Sequence, residues 1–511
     1  MKFSARRKKA IFRQFFPSDA RQWKRYFLVF YPVILGAMLF ALNGFIDNFM
    51  VGKYNAVAAI SAANQWTNIV NGIVIGVAAA GGVVSAQLFY SRRYQAFKQM
   101  ARFRYVLTTG MTLVIAILAW IIPDELNSLF LKRPEHLASE EVQYAKNLAM
   151  AREYIQITAL QWILFSISGN LGIQLREVGK GHVTVYWGVG TLSMNITLNA
   201  ILIYGFDVGV KGAAWASVAA RMVAIIVGFT FVVKTNSQLR FAPWTVFSFD
   251  WHTTKLFFAR FALFFAYTTM VALVTFRSYF YDMGYPQGSL GQGIGATAVL
   301  GLSNAIMNVF TTAFAGVGVM AANFVGSELG NGRIESAKIH SNQLKGFNTS
   351  MSVALSVLVV IVASFAPLMT FLVDTRDPNV DTGAQLIEVR NTLYVIALFY
   401  PVWIWFTTTY RNGVSGGRTF VFSLTDWLFN LAQIGWAWIV MGPLKDAWPA
   451  LEGRFWLAYI VFFTSDIFKL IAQEINYYTI DWAQVIDAAH VEADNALQSG
   501  HDVIDSEPLD V

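Results

Sequence analysis

The chain has 511 residues, of which 56% are hydrophobic, 15% aromatic and only 14% charged. A water-soluble protein carries roughly a quarter of its residues as charges, so this composition excludes an ordinary soluble domain and marks a membrane protein. The net charge is +7 and there is no cysteine, which excludes disulfides, thiol nucleophiles and thiolate metal sites.

In chain order, residues 1–26 form a basic segment containing "ARRKKAIFR" and "RQWKRY". It is expected to lie on the cytoplasmic side, touching anionic lipid at most. It is not a cleavable signal, because the apolar run that follows is too long and lacks a small-residue cleavage site. Apolar windows of about 20 residues, enough to cross a layer roughly 30 Å thick, follow at 27–50, 57–84, 105–122, 155–175, 183–204 and 211–233. A polar and aromatic connector at 234–255 leads to a second set at 256–280, 295–325, 348–373, 392–410, 419–442 and 455–473. An acidic tail, 474–511, ends the chain. With both termini inside, most of the 38 lysines and arginines fall in the N-terminal segment and in every second connection, as the positive-inside rule requires. The charge therefore reads as topology, with no nucleic-acid partner.

The two sets look like repeats. "ANQWTNIVNGIVIGV" (63–77) laid on "SNAIMNVFTTAFAGV" (303–317) matches Asn64 with Asn304, Asn68 with Asn308 and Gly76 with Gly316, and Arg93 then falls on Arg333. Six helices per half, each half starting inside, make parallel repeats about an axis along the membrane normal, the arrangement that flanks a substrate path in many secondary transporters. The expected fold is an all-α polytopic membrane protein: twelve transmembrane helices in two six-helix bundles, 27–233 and 256–473, related by a pseudo-two-fold axis. No Walker-type or H-E-x-x-H motif occurs, and no enzymatic activity is expected.

An intramembrane acid is costly in lipid and marks an ion path where it faces a cavity. Asp47, in "LNGFIDNFMVG", lies at the outer end of the first helix, where an interfacial role is also open. Asn195 and Asn199, one turn apart on the fifth helix, and Ser217, two turns into the sixth, fall at similar depth, as do Asn64 and Asn68 on the second. Such oxygen donors suit a hard monovalent cation or a proton-linked switch; helix–helix hydrogen bonding is the plainer reading of each Asn. In the second half Asn304, Asn308 and Asp426 are cavity candidates, while Asp466 pairs with Lys469 at i+3. Arg221 requires a buried partner, Arg260 snorkels to the inner interface, and Asp282 is an acid of the loop 278–295 or a displaced counterpart of Asp47. The small residues of "GIVIGVAAAGGVVSA" permit close helix approach. The aromatics of "PVWIWFTTTYRNG" (401–413) offer faces for flat cations or an interfacial belt.

"FIDNFMVG", then "LREVGKGHVTVYWGVGTLSMNITLNAILIYG" leading to "GVKGAAWASVAARMV", and "VGSELGNGR" in the second half resemble the multidrug and toxic compound extrusion (MATE) transporters from about residue 27 to 473. The resemblance implies two six-helix bundles around a central cavity and export of amphipathic, often cationic, organic compounds by antiport against Na+ or H+, with no cofactor. Asp47 matches the family's first-helix acid, Asn195 its fifth-helix asparagine and Ser217 the hydroxyl ending "GAAWAS". Asn199 departs from the pattern, since many members carry Asp there; "N-x-x-x-N" leaves Asp47 as the evident acid of the first half.

The expected protein is therefore a monomeric, multi-pass plasma (inner) membrane antiporter working by alternating access. A flippase for lipid-linked oligosaccharide or cell-wall precursor is the nearest rival. It would need a basic cavity for pyrophosphate, where the intramembrane positions read as acidic and amide-rich. A membrane-embedded transferase would need acids or histidines clustered near helix ends, and a non-transporting receptor would leave the repeat without a purpose.

Overall fold

In lipid the backbone must satisfy its own N–H and C=O groups, and a chain of long apolar runs does so as α-helices. The computed structural model describes residues 14–51, 57–131, 138–235, 239–240, 243–248, 250–286, 288–292, 294–368 and 381–484, and among them the ordered elements are helices. The long ones are α1 (Ala20–Val51), α2 (Val57–Tyr90), α3 (Tyr94–Ile121), α4 (Ala138–Glu177), α5 (Gly181–Asn199), α6 (Val210–Thr235), α7 (Phe261–Gly284), α8 (Ala296–Gly330, in consecutive segments), α9 (Ile334–Ser364), α10 (Thr382–Ser415), α11 (Thr419–Met441) and α12 (Phe455–Thr479, in two segments). Among the described residues six of these, α3, α6, α8, α9, α10 and α12, are apolar and long enough to cross a membrane by composition alone, and α2 joins them as a span bent by 41°.

The helix pairs repeat with a period of six. Helix α1 runs along α5, α3 packs on α4 and α4 on α6; six helices later α7 runs along α11, α9 packs on α10 and α10 on α12. Between the halves α1 meets α8 and α2 meets α7, the exchange that a two-fold axis along the membrane normal demands. Glycine makes both crossings close. A Cβ on Gly76 would sit 3.1 Å from the Phe264 ring, and one on Gly316 would sit 2.7 Å from Phe30. The turns repeat as well: Arg92 (φ 63°) before α3 and Gly332 (φ 74°) before α9 occupy the same left-handed position.

Burial divides along the helix axes. One core, including Tyr26, Phe30, Val77, Phe264, Val317, Phe324 and Phe347, is shared by the two halves at the face where α1 begins. At the opposite face each half has its own core, one around Ile60, Trp162 and Ile203 and the other around Tyr285, Val389 and Phe462. Polar contacts reinforce the shared core: Tyr26 Oη lies 2.6 Å from His340 Nδ1, Tyr90 donates to Asn323 at 2.8 Å, and Gln87 donates to the Ser415 carbonyl at 3.0 Å. The halves are therefore joined at one face and diverge toward the other.

Helix ends depart from the hydropathy windows because a helix continues past the membrane wherever its polar residues find protein or water. Helix α1 begins within the basic segment, α9 includes the polar stretch from Ile334, and α12 runs to Thr479, into the stretch read as tail. Helix α7 continues to Gly284, so Asp282 is half-buried on a helical turn and does not belong to a loop. Tyr281 and Tyr285, packed on Phe455 at 5.9 and 5.4 Å between ring centroids, hold that extra turn. Within the connector, Asp250 caps a helix at Trp251–Phe258 by accepting from the His252 and Thr253 amides, a standard N-terminal cap. The tail beyond 484 lies outside the described residues.

Candidate functional site

Helix α5 ends in an unusual way. Its regular turns stop at Asn199 and pass into a π-helical segment, Ala200–Gly205, a widened turn that often marks a functional site. The tight return to α6 needs left-handed backbone at Asp207 (φ 53°) and Gly209 (φ 67°). That return brings Ser217 of α6 against α5. Asn195 donates from Nδ2 to Ser217 Oγ at 3.1 Å, and Asn199 donates to Asn195 Oδ1 at 3.2 Å. Asn195, Asn199 and Ser217 are 1%, 0% and 5% exposed, so this is an interior polar chain.

Asp47 lies on the last turns of α1, and its side chain is outside the described residues. Its height is set by the parallel packing of α1 on α5. Gly36 faces Thr184 and Gly188 faces Leu39, and the same register carried along both helices brings Asp47 level with Asn195. Beyond it, Tyr204 in the π segment donates to the Met50 carbonyl at 3.2 Å, fastening the ends of the two helices. The other amides are not part of this chain. Asn64 is half-buried and Asn68 exposed on α2, which packs on α3, α4 and α7; Asn304 and Asn308 are exposed on α8. The expected single cluster of first-half amides thus separates into the Asn195–Asn199 pair on α5, joined to Ser217 of α6, and Asn64 and Asn68 on α2 at the seam.

The second half holds a denser network. Lys469 of α12 pairs with Asp426 of α11 at 2.7 Å, and Asn430 donates to the same carboxylate at 2.9 Å. Arg277 of α7 donates to Asn430 Oδ1 at 3.1 Å. Asp466 accepts from Trp403 Nε1 at 2.8 Å and from Gln433 Nε2 at 2.6 Å. The ion pair expected between Asp466 and Lys469 is thus replaced: the ammonium reaches across to α11, where a second helix offers an acid at better geometry than its own i−3 neighbour. Nearby, fully buried Lys345 of α9 pairs with Glu474 at 2.8 Å, and Glu474 also accepts from Trp405 and Thr409.

Two features were not anticipated. Arg104 of α3 and Glu177 of α4 form a buried pair at 2.9 Å, with Ser85 of α2 accepting from the same guanidinium at 3.2 Å. A Cβ on Gly81 would sit 2.5 Å from Arg104 Cδ, and one on Gly82 would collide with the Glu177 carboxylate. The glycines of "AAAGGVV" therefore make room for an ion pair as well as for a helix. Their adjacency was the available signal. The second feature is the number of interior bases: Arg104, Lys345, Arg411 and Lys469 join Arg277, so the acidic and amide-rich reading of the membrane interior is incomplete. Arg221 is half-buried with its guanidinium over the Phe165 ring at 5.1 Å, and Arg260 donates to the Leu256 carbonyl at 3.1 Å.

Residues 32–201 match the MatE family model, the stretch that carries Asp47, Asn195 and Asn199. The chain has 90% of its length superimposed on 98% of a variant of the Vibrio cholerae MATE transporter VcmN, at a TM-score of 0.72 and 16% identity. The chain has the fold of that transporter, and its residues 32–201 are similar to the MatE family. An outward-facing multidrug resistance MATE transporter of the MOP superfamily matches the MATE-fold chain equally well, over 91% of this chain and 97% of that one, with a TM-score of 0.73 and 14% identity. Among curated relatives, the multidrug export protein MepA of Staphylococcus aureus (strain bovine RF122 / ET3-1) is 23% identical over 209 residues, 40% of this chain and 44% of the relative. The probable multidrug resistance protein YpnP of Bacillus subtilis (strain 168) is 24% identical over 207 residues, with the same coverage. The matched stretch spans less than half the length of these relatives.

Proposed function

We propose that this protein exports small amphipathic organic compounds, cations among them, across the plasma membrane in exchange for Na+ or H+, as a monomer with both termini in the cytoplasm. The observation that carries this reading is the buried Asn199–Asn195–Ser217 chain on the helices α5 and α6, with α1, the helix that carries Asp47, packed along α5. An acid, two amides and a hydroxyl at one depth form a hard-oxygen environment that a monovalent cation or a proton occupies and leaves. With the start of α1 on the cytoplasmic side, the shared core seals that side and the halves diverge outward. Asn68, Asn304 and Asn308 are exposed on α2 and α8; an amide facing lipid is costly, so these side chains belong to the diverging cleft.

Ion entry from outside and drug release are then alternative occupations of one state, and the ion shifts the equilibrium only by its different affinity for the two states. The test is dye movement in proteoliposomes under Na+ and pH gradients imposed separately, comparing wild type with Asp47→Asn. Loss of gradient-driven transport in a folded variant is expected, and the gradient that drives wild type names the ion. Undiminished transport by Asp47→Asn would overturn the coupling role.

A further inference from the structure

The interior bases of the second half are matched to acceptors with one exception among the described residues. Lys345 has Glu474, Lys469 has Asp426, and Arg277 has Asn430. Arg411 of α10 has rings. Its guanidinium lies over Tyr267 of α7 at 5.3 Å and over Tyr410 at 5.7 Å, and its Nε is buried with no hydrogen-bond partner. On α8 it faces Gly318, where a Cβ would stand 3.8 Å from Nε and 3.9 Å from Cζ, in ordinary van der Waals contact. Asp426, the acid closest in chemistry and sequence, is already engaged by Lys469 and Asn430. Arg411 itself is half-buried, so the group is reachable.

Its position is at the seam. Tyr267 lies between Phe264 and Thr268, which face Gly76 of the first half, and Gly318 lies two residues from Gly316, which faces Phe30. Aromatic rings attract the charge of a guanidinium without accepting in-plane hydrogen bonds, and a planar two-oxygen anion fits the N–H edge of such a group with two parallel hydrogen bonds. The buried Nε–H has no acceptor of its own, and burying a donor unpaired costs free energy that an entering anion relieves.

We propose that Arg411, with Tyr267 and Tyr410, is an anion-recognising subsite in the second half that takes the carboxylate, sulfonate or phosphate of an amphipathic organic ligand. Resting on the export reading above, this extends the cargo to acidic and zwitterionic amphipaths. The shared chemistry also admits a lipid headgroup phosphate, and the experiment separates the two sources.

Equilibrium binding to the purified full-length protein in zwitterionic lipid nanodiscs tests it with two probes on one ring scaffold, dianionic fluorescein and cationic rhodamine 6G, read by fluorescence anisotropy. Wild type is expected to bind fluorescein, with affinity reduced about tenfold or more in Arg411→Gln, an intermediate loss in Arg411→Lys, which keeps the charge and loses the fork, and rhodamine 6G affinity unchanged. If added phosphatidylglycerol weakens fluorescein binding to wild type but not to Arg411→Gln, the subsite holds lipid phosphate; if it weakens neither, the anion is soluble cargo. Fluorescein affinity that differs less than about twofold between wild type and Arg411→Gln overturns the proposal, as does equal loss of both probes in a variant that melts like wild type. No gradient enters the measurement, so failure of ion coupling at Asp47 leaves it interpretable: Asp47→Asn is expected to bind fluorescein like wild type.

Discussion

At the scale of single residues the interior of this protein is organised by partners that lie far apart in the chain. Arg104 and Glu177 show the cost of separating them. Removing one member of a buried pair leaves an uncompensated charge, worth about 3–5 kcal/mol, whereas replacing both by apolar residues of similar volume is often close to neutral. Glu177→Gln is therefore expected to lower the melting temperature in detergent sharply, with Arg104→Met/Glu177→Met recovering much of the loss. Equal melting of the single variant and wild type would show the pair to be dispensable. The α5–α6 chain behaves differently. Ser217→Ala removes one neutral acceptor and is expected to cost only about 1 kcal/mol of stability, while weakening ion-driven transport at limiting ion concentration. A stability loss with unchanged ion dependence would make the chain a packing device.

At the scale of elements the repeat supplies internal controls. Arg92 and Gly332 occupy the same left-handed turn position, a conformation that costs a non-glycine residue about 1 kcal/mol. Arg92 is exposed, and Arg92→Gly is expected to stabilise the fold by up to roughly 1 kcal/mol. Gly332→Val, which puts a β-branched side chain at a positive φ, is expected to destabilise it. Chemical denaturation in micelles measures both; a stabilising Gly332→Val would mean the turn relaxes freely. Gly316 offers a second control. Its missing Cβ admits Phe30 at the α1–α8 crossing, so Gly316→Leu forces the halves apart at the shared core, a larger effect than the same change at Gly301, beside which nothing lies within 4 Å.

At the scale of the whole molecule the division of cores identifies which face is closed. A Cβ on Gly326 of α8 would lie 3.5 Å from the Ala86 Cβ of α2, within the range a disulfide spans, and the chain has no cysteine of its own. The pair Ala86→Cys/Gly326→Cys is therefore expected to form a disulfide across the seam under mild oxidation. If alternating access requires this face to open, the crosslink abolishes dye transport and reduction restores it. Full transport by the crosslinked protein would exclude separation of the halves here as an obligatory step.

The span count, the two-fold plan and the glycines of the seam were legible in the sequence, because hydropathy over about 20 residues and the Asn64–Asn304 register are local properties that lipid leaves few ways to satisfy. The candidate triad was legible for the same reason: Asn195 and Asn199 share a helical face, and a short turn returns Ser217 to their depth. Tertiary structure alone decided who pairs with whom. Lys469 has an acid three residues away in Asp466 yet bonds Asp426 on another helix, and Arg104 meets Glu177 only because Gly81 and Gly82 let three helices converge. Charge pairing in a bundle depends on which helix faces which and at what height, and hydropathy carries neither. The same reason explains Arg411. In the sequence it stands unremarked among the aromatics of "PVWIWFTTTYRNG"; placed beside Tyr267, Tyr410 and Gly318, it is a cation open to a ligand.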